Sequence, residues 1–250
     1  MKNHIIIIVA SLICLAGTLF GQVPSVTSLT ADQIMAKVYA QDSTRDSTGG
    51  GYSGRREYVL DNQKLNKRAE MQVSVLCNSD GTKHFEVLSE DGWHAANKHV
   101  LHQMLKSESE TSQPAIRPMT RMVPENYEFS LIGYEYLQGR PAYLIEAVPK
   151  RSEKYLFRGR VWVDAQDFAV ARVEGQPAKN PSFWTRSVHF VQQYRKSGPF
   201  WYPASTSSVT EAHIFGTTDV RIRYFDYSPL SNSARGSESP ALTEVKYVQH

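Results

Sequence analysis

Runs of alternating apolar and polar residues, joined by short turns, follow one another along most of this 250-residue chain. In the clearest run, Lys67 to Cys77, every second residue from Ala69 onward is apolar, which is the period of a strand with one buried face. A tight turn at Asn78 to Gly81 returns the chain over Lys83 to Ser89. Strands joined in this way are antiparallel neighbours, so the pattern predicts a meandering sheet.

Further strands follow from the same pattern. They are Arg56 to Leu60, Tyr127 to Glu135 with Ala142 to Val148, Tyr155 to Gly175 folded at Asp164 to Asp167, Phe183 to Arg195 with Phe200 to Glu211, and Thr218 to Tyr227. A twisted sheet of about ten strands has to curl or split to avoid exposed edges. We therefore expect a mostly β, α+β fold: a curved antiparallel half-barrel of about ten strands, with two covering helices.

Two segments have helical rather than strand periodicity. Thr30 to Gln33 fits a capping box, in which the threonine and glutamine side chains bond each other's backbone N–H groups. The residues that follow place Ala31, Ile34, Met35 and Val38 on one apolar side, and a second helix over Trp93 to Lys106 does the same with Val100, Leu101, Met104 and Leu105. The polar segment Ser107 to Pro118 is predicted to be a mobile loop that acts as a hinge for a helical lid.

The N-terminus predicts export. Residues 1–21 place one lysine ahead of an apolar run from Ile5 to about Leu15, with small residues before a cut after Gly21, the layout of a secretory signal peptide. An uncleaved anchor is the alternative, and lipidation of Cys14 is disfavoured by Ile13 before it. We expect residues 22–228 to form one domain and residues 229–250 a flexible tail. The predicted location is the periplasm.

Composition narrows the possible functions. Once the signal peptide is removed only Cys77 is left, so no intramolecular disulfide can form and the chain needs an ordinary core. The net charge of +3 is close to neutral and therefore does not indicate binding to nucleic acid.

No residue pattern predicts catalysis. Gly51 to Gly54 lacks the spacing of a serine nucleophile elbow, and there is no phosphate-binding loop or C-x-x-C motif. Three histidines, His94, His99 and His102, fall on the second helix without a carboxylate at metal-binding spacing, so they do not favour a metal site. The sequence therefore predicts a non-enzyme without cofactors.

Two stretches carry a resemblance to a known family. A helix of the form LTADQIMAKV, followed by hairpins and by GRVWVDAQDFAVARVEG, resembles the periplasmic lipoprotein-carrier superfamily of LolA, LolB and the N-terminal domain of RseB. The family's strand-turn-strand pattern is matched by Val161, Trp162, Val163, Asp164, Val170 and Arg172. Phe168 departs from it, because a small residue or glycine is usual there. The resemblance extends from Leu29 to Tyr227.

The resemblance implies an open β-barrel whose apolar interior shelters acyl chains of a lipid or lipoprotein. It implies a non-catalytic carrier or sensor, similar to outer membrane lipoprotein-sorting proteins. The lipid-binding candidates are the residues that alternation turns inward: Met71, Val73, Val75, Phe85, Val87, Phe129, Leu131, Tyr143, Ile145, Val161 and Val163. Plain core packing is the alternative for each of them.

Arginine and aromatic residues recur on the opposite face. The partner-binding candidates there are Arg158, Arg160, Trp162, Arg221 and Arg223. One interpretation is an exposed face whose long side chains keep their charged ends in water. The other is a surface that docks an acidic partner protein or anionic lipid head groups, since arginine and aromatic residues are favoured in interfaces. The alternative function is thus an envelope-stress module that binds an envelope partner protein and carries no lipid. Peripheral membrane contact is compatible with both.

Overall fold

The computed structural model describes residues 29–48, 51–180, 185–214 and 216–230. The predicted signal peptide, and the predicted tail beyond Leu230, lie outside the described residues. The helices are α1 (Ala31–Thr48), α2 (His94–Ala96), which continues through a π-helical segment (Asn97–Leu101) into α3 (His102–Ser112), and the short α4 (Arg117–Thr120). No helix of the described ranges is both long and apolar enough to span a bilayer.

The strands form one antiparallel sheet. They are β1 (Tyr52–Asn62), β2 (Lys67–Cys77), β3 (Lys83–Gly92), β4 (Tyr127–Leu137), β5 (Arg140–Pro149), β6 (Phe157–Asp164), β7 (Val170–Pro177), β8 (Thr185–Ser197), β9 (Phe200–Ala212) and β10 (Gly216–Pro229). Their order is β3-β2-β1-β10-β9-β8-β7-β6-β5-β4, so the sheet is open and β3 and β4 are its edges. The predicted fold class is confirmed, and the chain crosses from one edge to the other through α2 to α4.

Helix α1 begins and packs as its sequence predicts. The Thr30 hydroxyl accepts the N–H of Gln33 at 3.2 Å, and the Gln33 side-chain oxygen accepts the N–H of Thr30 at 2.9 Å. The apolar side of the helix is buried against β4 to β7, in a first core that contains Ile34, Met35, Val38, Tyr127, Ile145, Ala147, Val161, Val163 and Val173. The capping box and the amphipathic pattern are thus both confirmed.

The second helical run covers the other half of the sheet. Leu101 and Leu105 pack on β1, β2 and β10 in a second core with Tyr58, Leu60, Ala69, Met71, Val73, Val220 and Ile222. The prediction that Val100 belongs to the apolar side was wrong, because 39% of it is exposed. Val100 lies in the π-helical segment, whose i→i+5 hydrogen bonds change the angle between successive side chains and shift the buried face.

The predicted loop at Ser107 to Pro118 was also wrong, since α3 continues to Ser112. Its serines bond the edge strand: the Ser112 hydroxyl accepts the N–H of Lys83 at 2.9 Å, and the Ser109 hydroxyl donates to the Lys83 carbonyl at 3.1 Å. Arg117, at the start of α4, donates to the Asp80 carbonyl at 2.8 Å. The polar residues therefore dock the helix on β3 and its turn, and a composition typical of loops forms an ordered contact.

Gly159 and Gly175 face each other across β6 and β7. A Cβ atom on Gly159 would lie 2.0 Å from the backbone oxygen of Glu174, far inside van der Waals contact. We expect Gly159→Ala to lower the free energy of unfolding by about 1–3 kcal/mol, because the strands have to separate to make room. Urea unfolding would measure this loss, with Gly133→Ala of β4 as a control, because its Cβ would meet only the Leu144 side chain at an ordinary 3.7 Å. A Gly159→Ala variant no less stable than that control would contradict the close-approach argument.

Candidate functional site

A cavity of about 560 Å³ lies on the concave side of the sheet. Its walls are the C-terminal part of α3, α4, the turn between β2 and β3, and inward side chains of β1, β8, β9 and β10. It separates the first core from the second core, and we call it the concave cavity. Charged groups line one side of it and aromatic rings another.

Arg56 is the most buried charged residue of the concave cavity, with 1% of its surface exposed. Its guanidinium makes a two-point ion pair with Glu108 of α3, at 2.6 and 3.0 Å, and donates to the Tyr58 hydroxyl at 3.2 Å. The rings of Phe85 and Tyr224 lie 5.1 and 4.8 Å from it. Two-point geometry and aromatic contacts are what make a buried arginine tolerable.

Lys83 joins this pair from the edge strand, because its ammonium donates to Glu108 at 2.7 Å. Burial works against the charged form of Glu108, but the attraction of Lys83 and then of Arg56 outweighs it and lowers the pKa of the carboxyl. Burial likewise opposes the charge of Lys83, and the carboxylate of Glu108 more than offsets it, so the pKa of Lys83 is raised. All three groups are therefore charged at neutral pH.

This cluster makes stability depend on acidity. Because the pKa of Glu108 is lower in the folded chain, its contribution is present in full above about pH 5 and is lost progressively as the pH falls from the ordinary pKa of a glutamate towards the lower pKa of the folded chain. We expect the melting temperature to be nearly constant from about pH 7 to about pH 5 and to drop steadily from there to about pH 3. Calorimetry across that range would measure it, and Glu108→Gln should flatten the curve. A variant curve parallel to the wild type would contradict the assignment.

The aromatic side of the concave cavity consists of rings from β1, β8 and β9, with Tyr227 of β10 packed against them: Tyr52, Tyr194, Phe200, Trp201 and Tyr202. Tyr202 stacks on Tyr227 at 4.5 Å, Tyr52 meets Tyr227 edge-on at 5.2 Å, and Phe200 lies 6.0 Å from Tyr202. Burial raises the pKa of the Tyr52 and Tyr227 phenols, which are therefore neutral. The arrangement offers flat apolar faces for a hydrocarbon chain and hydroxyls for a polar group.

A second buried ion pair fixes the end of the β6–β7 hairpin. Asp164, 1% exposed, accepts two hydrogen bonds from Arg140, at 2.5 and 2.8 Å. The same carboxylate accepts the backbone N–H groups of Gln166 and Asp167 in the turn. Burial favours the neutral acid, but the bonds from Arg140 and the turn lower the pKa of Asp164. Its role is structural, because it closes the turn.

Phe168, which departs from the family pattern, has a φ of 49°. Glycine tolerates this left-handed region more readily than a bulky residue does, which explains why a small residue is usual there. The Phe168 ring packs against the first core, parallel to Tyr143 at 6.3 Å and 4.9 Å from the ammonium of Lys37 on α1. These contacts offset the backbone strain.

Comparison with known proteins identifies the family. The family model of DUF5686, described as a family of unknown function, matches residues 89–228. The chain belongs to the DUF5686 family. The match runs from the end of β3 through nearly all of β10, so it includes α3 and the aromatic residues of β8 and β9 but not Tyr52 of β1. No curated protein matches the sequence.

Several solved structures are similar to this DUF5686 protein. A DUF1329 family protein from Desulfovibrio piger is 13% identical, with 81% of this chain and 95% of the other covered and a TM-score of 0.44. An outer membrane lipoprotein-sorting protein domain from Vibrio parahaemolyticus is 15% identical, with 82% and 93% covered and a TM-score of 0.40. A LolA superfamily protein from Nitrosomonas europaea is 11% identical, with 82% and 95% covered and a TM-score of 0.38. The superfamily that the sequence resembles thus also occurs among its structural neighbours.

The predicted lipid-binding residues lie in or beside the two cores, and none of them lines the concave cavity. Met71, Val73, Val75, Ile145, Val161 and Val163 are buried, while Phe85, Phe129 and Tyr143 are half-buried. The expectation that Val87 and Leu131 are shielded was wrong: they are 36% and 40% exposed. Both lie on edge strands, where a side chain has a neighbouring strand on one side only.

The predicted partner-binding residues do not form a single patch, because β7, β8 and β9 separate β6 from β10. Trp162 is buried with Ala142 and Leu144, and its indole N–H donates to Glu135. Its predicted place on an exposed docking face was therefore wrong, since neighbouring side chains cover the ring. The other four are exposed, and Arg221 and Arg223 pair with Asp61 and Glu57 of β1. Docking through these arginines stays a prediction.

The histidines of the second helical run do not converge. His102 bonds the Glu90 carboxylate of β3, and no group of three or more metal-ligating side chains occurs within the part of the chain that the structure describes.

Arg56, Lys83 and Glu108 were not predicted as site residues. Only Arg56 could have been recognised from the sequence. It alternates with Tyr58 and Leu60 along β1, so the pattern places an arginine on the inward side of a strand.

Proposed function

We propose that this protein is a non-catalytic binding protein of the cell envelope that holds acyl chains of a lipid or lipoprotein on the concave side of its sheet. The observation that carries the proposal is the concave cavity of about 560 Å³ between an open sheet and its covering helices. Its volume falls in the range of small-molecule sites, roughly 300–1,000 Å³. The predicted signal peptide at residues 1–21 supports a periplasmic location.

The aromatic side gives an acyl chain its first contacts. Tyr194, Phe200, Trp201 and Tyr202 line the concave cavity with flat rings. Each methylene group that leaves water there gains about 0.8 kcal/mol. A chain held by several methylenes would therefore be retained during purification.

A longer chain would need more apolar surface than the rings supply. The inward residues of the two cores, from Met71 to Val163, provide it if α1 or α3 moves away from the sheet. We include this lid movement in the proposal, because α1 rests on the sheet through apolar side chains. Helix α3 would also have to break its ion pairs and its serine hydrogen bonds with β1 and β3. An acyl chain that takes the place of the apolar side chains keeps the apolar surface out of water.

Native mass spectrometry of protein purified from the periplasm tests the proposal. We expect acyl species to co-purify with the wild type and to be lost from Phe200→Asp, which puts a charge in the aromatic side. Val209→Asp is the matched control, because Val209 is on the same strand but pairs with Asp219 on the convex face. Wild-type protein without acyl species that also fails to bind added oleate or oleyl alcohol would overturn the proposal.

A second variant tests the lid movement separately. Leu131→Glu places a charge at the concave edge of β4, which pairs Leu131 with the inward Ile145. If acyl chains spread over the first core, this variant should release long chains sooner than short ones. Equal retention of both chain lengths would show that the concave cavity alone holds the ligand.

A further inference from the structure

The charges that line the concave cavity do not balance. Three cationic side chains, Arg56, Lys83 and Arg117, face a single carboxylate, Glu108, among the described lining residues. Three positive charges and one negative leave an excess of +2 on the lining, which the nearby Asp80 carboxylate offsets in part at Arg117. A partly enclosed cavity with such an excess attracts an anion, because the field inside is screened less than at the open surface.

Arg56 also carries an unused donor. Its Nε–H is fully buried and has no hydrogen-bond partner among the described residues, although the other end of its guanidinium is paired. The side chain is 1% exposed and lines the concave cavity. Buried donors without partners are rare and cost about 1–3 kcal/mol, so the protein compensates the positive charge of this guanidinium only in part.

Two further donors are accessible from the cavity. An ammonium group has three N–H donors, and that of Lys83 gives one to Glu108. Tyr52 lines the same space, and its hydroxyl is close enough to Lys83 to interact with its charge. Together they can donate to one oxyanion next to the aromatic side of the concave cavity.

We propose that the concave cavity selects an anionic amphiphile, with a carboxylate or phosphate head group at Lys83 and Tyr52 and the hydrocarbon chain along Phe200 and Tyr202. The inference rests on the proposed function and adds the charge of the ligand to it. A neutral head group leaves the excess positive charge uncompensated, and a cationic one adds to it. The order of affinity is therefore anionic, neutral, cationic for chains of equal length.

Isothermal titration of the mature chain with three matched probes tests this order. Oleate should bind about tenfold more tightly than oleyl alcohol, the difference that one charge-assisted contact makes, and oleylamine should bind most weakly. Equal Kd values for oleate and oleyl alcohol would overturn the head-group inference and leave the proposed function intact. Binding of none of the three would overturn both.

Lys83→Gln locates the head group. It should weaken oleate binding about tenfold and leave oleyl alcohol unchanged, while Glu108 keeps its pair with Arg56. Lys98→Gln is the control, because it removes the same charge from an exposed position on the π-helical segment. Tyr52→Phe, which keeps the ring, should weaken oleate by a smaller factor. Oleate binding that neither Lys83→Gln nor Tyr52→Phe affects would contradict the assignment.

A comparison of two phosphate ligands distinguishes recognition of an amphiphile from recognition of a free anion. Dodecyl phosphate should bind and inorganic phosphate should not, because only the former has a chain for the aromatic side. Inorganic phosphate that binds as tightly as dodecyl phosphate would show that the anion alone is recognised, which would overturn the proposed amphiphile.

Discussion

Replacing Glu108 with glutamine is expected to lower the free energy of unfolding by about 3–5 kcal/mol, because it leaves two cations without their shared anion. Arg56 is almost fully buried and has its two-point ion pair with this carboxylate, and Lys83 donates to the same group. The amide can accept a hydrogen bond but carries no charge, so it cannot offset the desolvation of the guanidinium. Urea unfolding monitored by circular dichroism would measure the loss.

Glu110→Gln is the matched control for that experiment. Glu110 lies two residues further along α3, is 46% exposed, pairs loosely with Lys106 at 4.0 Å and accepts a hydrogen bond from the Tyr155 hydroxyl at 2.9 Å, which an amide oxygen can also accept. Its removal should change stability by less than about 0.5 kcal/mol, as is usual for exposed pairs. If Glu108→Gln were no more destabilising than Glu110→Gln, the buried cluster would not hold α3 on the sheet.

Asp164→Ala is expected to have a similar effect, about 3–5 kcal/mol, at the far end of the sheet. The substitution removes the two-point bond from Arg140 and the acceptor of the backbone N–H groups of Gln166 and Asp167. The turn then loses its closure and Arg140 loses its main anion, although Asp167 lies 3.0 Å from the same guanidinium. Thermal and urea unfolding would both measure this.

Asp164→Asn separates the two contributions. The amide oxygen can still accept the turn N–H groups, whereas the charge that offsets Arg140 is gone. We therefore expect Asp164→Asn to lower the free energy of unfolding, but by less than Asp164→Ala does. An asparagine variant as stable as wild type would show that the turn bonds, not the ion pair, account for the effect of Asp164.

Much of the architecture follows from short-range patterns. The capping box at Thr30 and Gln33 forms as predicted, and alternation over β2 correctly gives the buried side from Ala69 to Cys77. The turn after Asp164 lies where its polar residues predict. Each of these signals depends on residues within a few positions of one another, so the sequence displays it directly.

The wrong predictions concern residues whose environment is decided by contacts with distant parts of the chain. Ser109 and Ser112 look like loop residues until their hydroxyls are seen to bond the backbone of β3. Trp162 looks exposed until Ala142 and Leu144 are seen to cover it. In both cases the partner that decides the environment belongs to another element, and composition alone does not name it.

The sequence by itself determined which strand residues face inward and where α1 begins. It also determined that the apolar sides of the sheet and the helices bury one another. It could do so because periodicity and capping depend on residues that are close together in the chain. Only the tertiary structure decided that the concave side holds a charged cavity. Glu108 is 52 residues from Arg56 and 25 from Lys83 along the chain, and the pairing of β1 with β2 and of β2 with β3 brings these three groups together beneath α3. Alternation shows that a side chain points inward, but the space between distant elements decides whether it packs or lines a cavity.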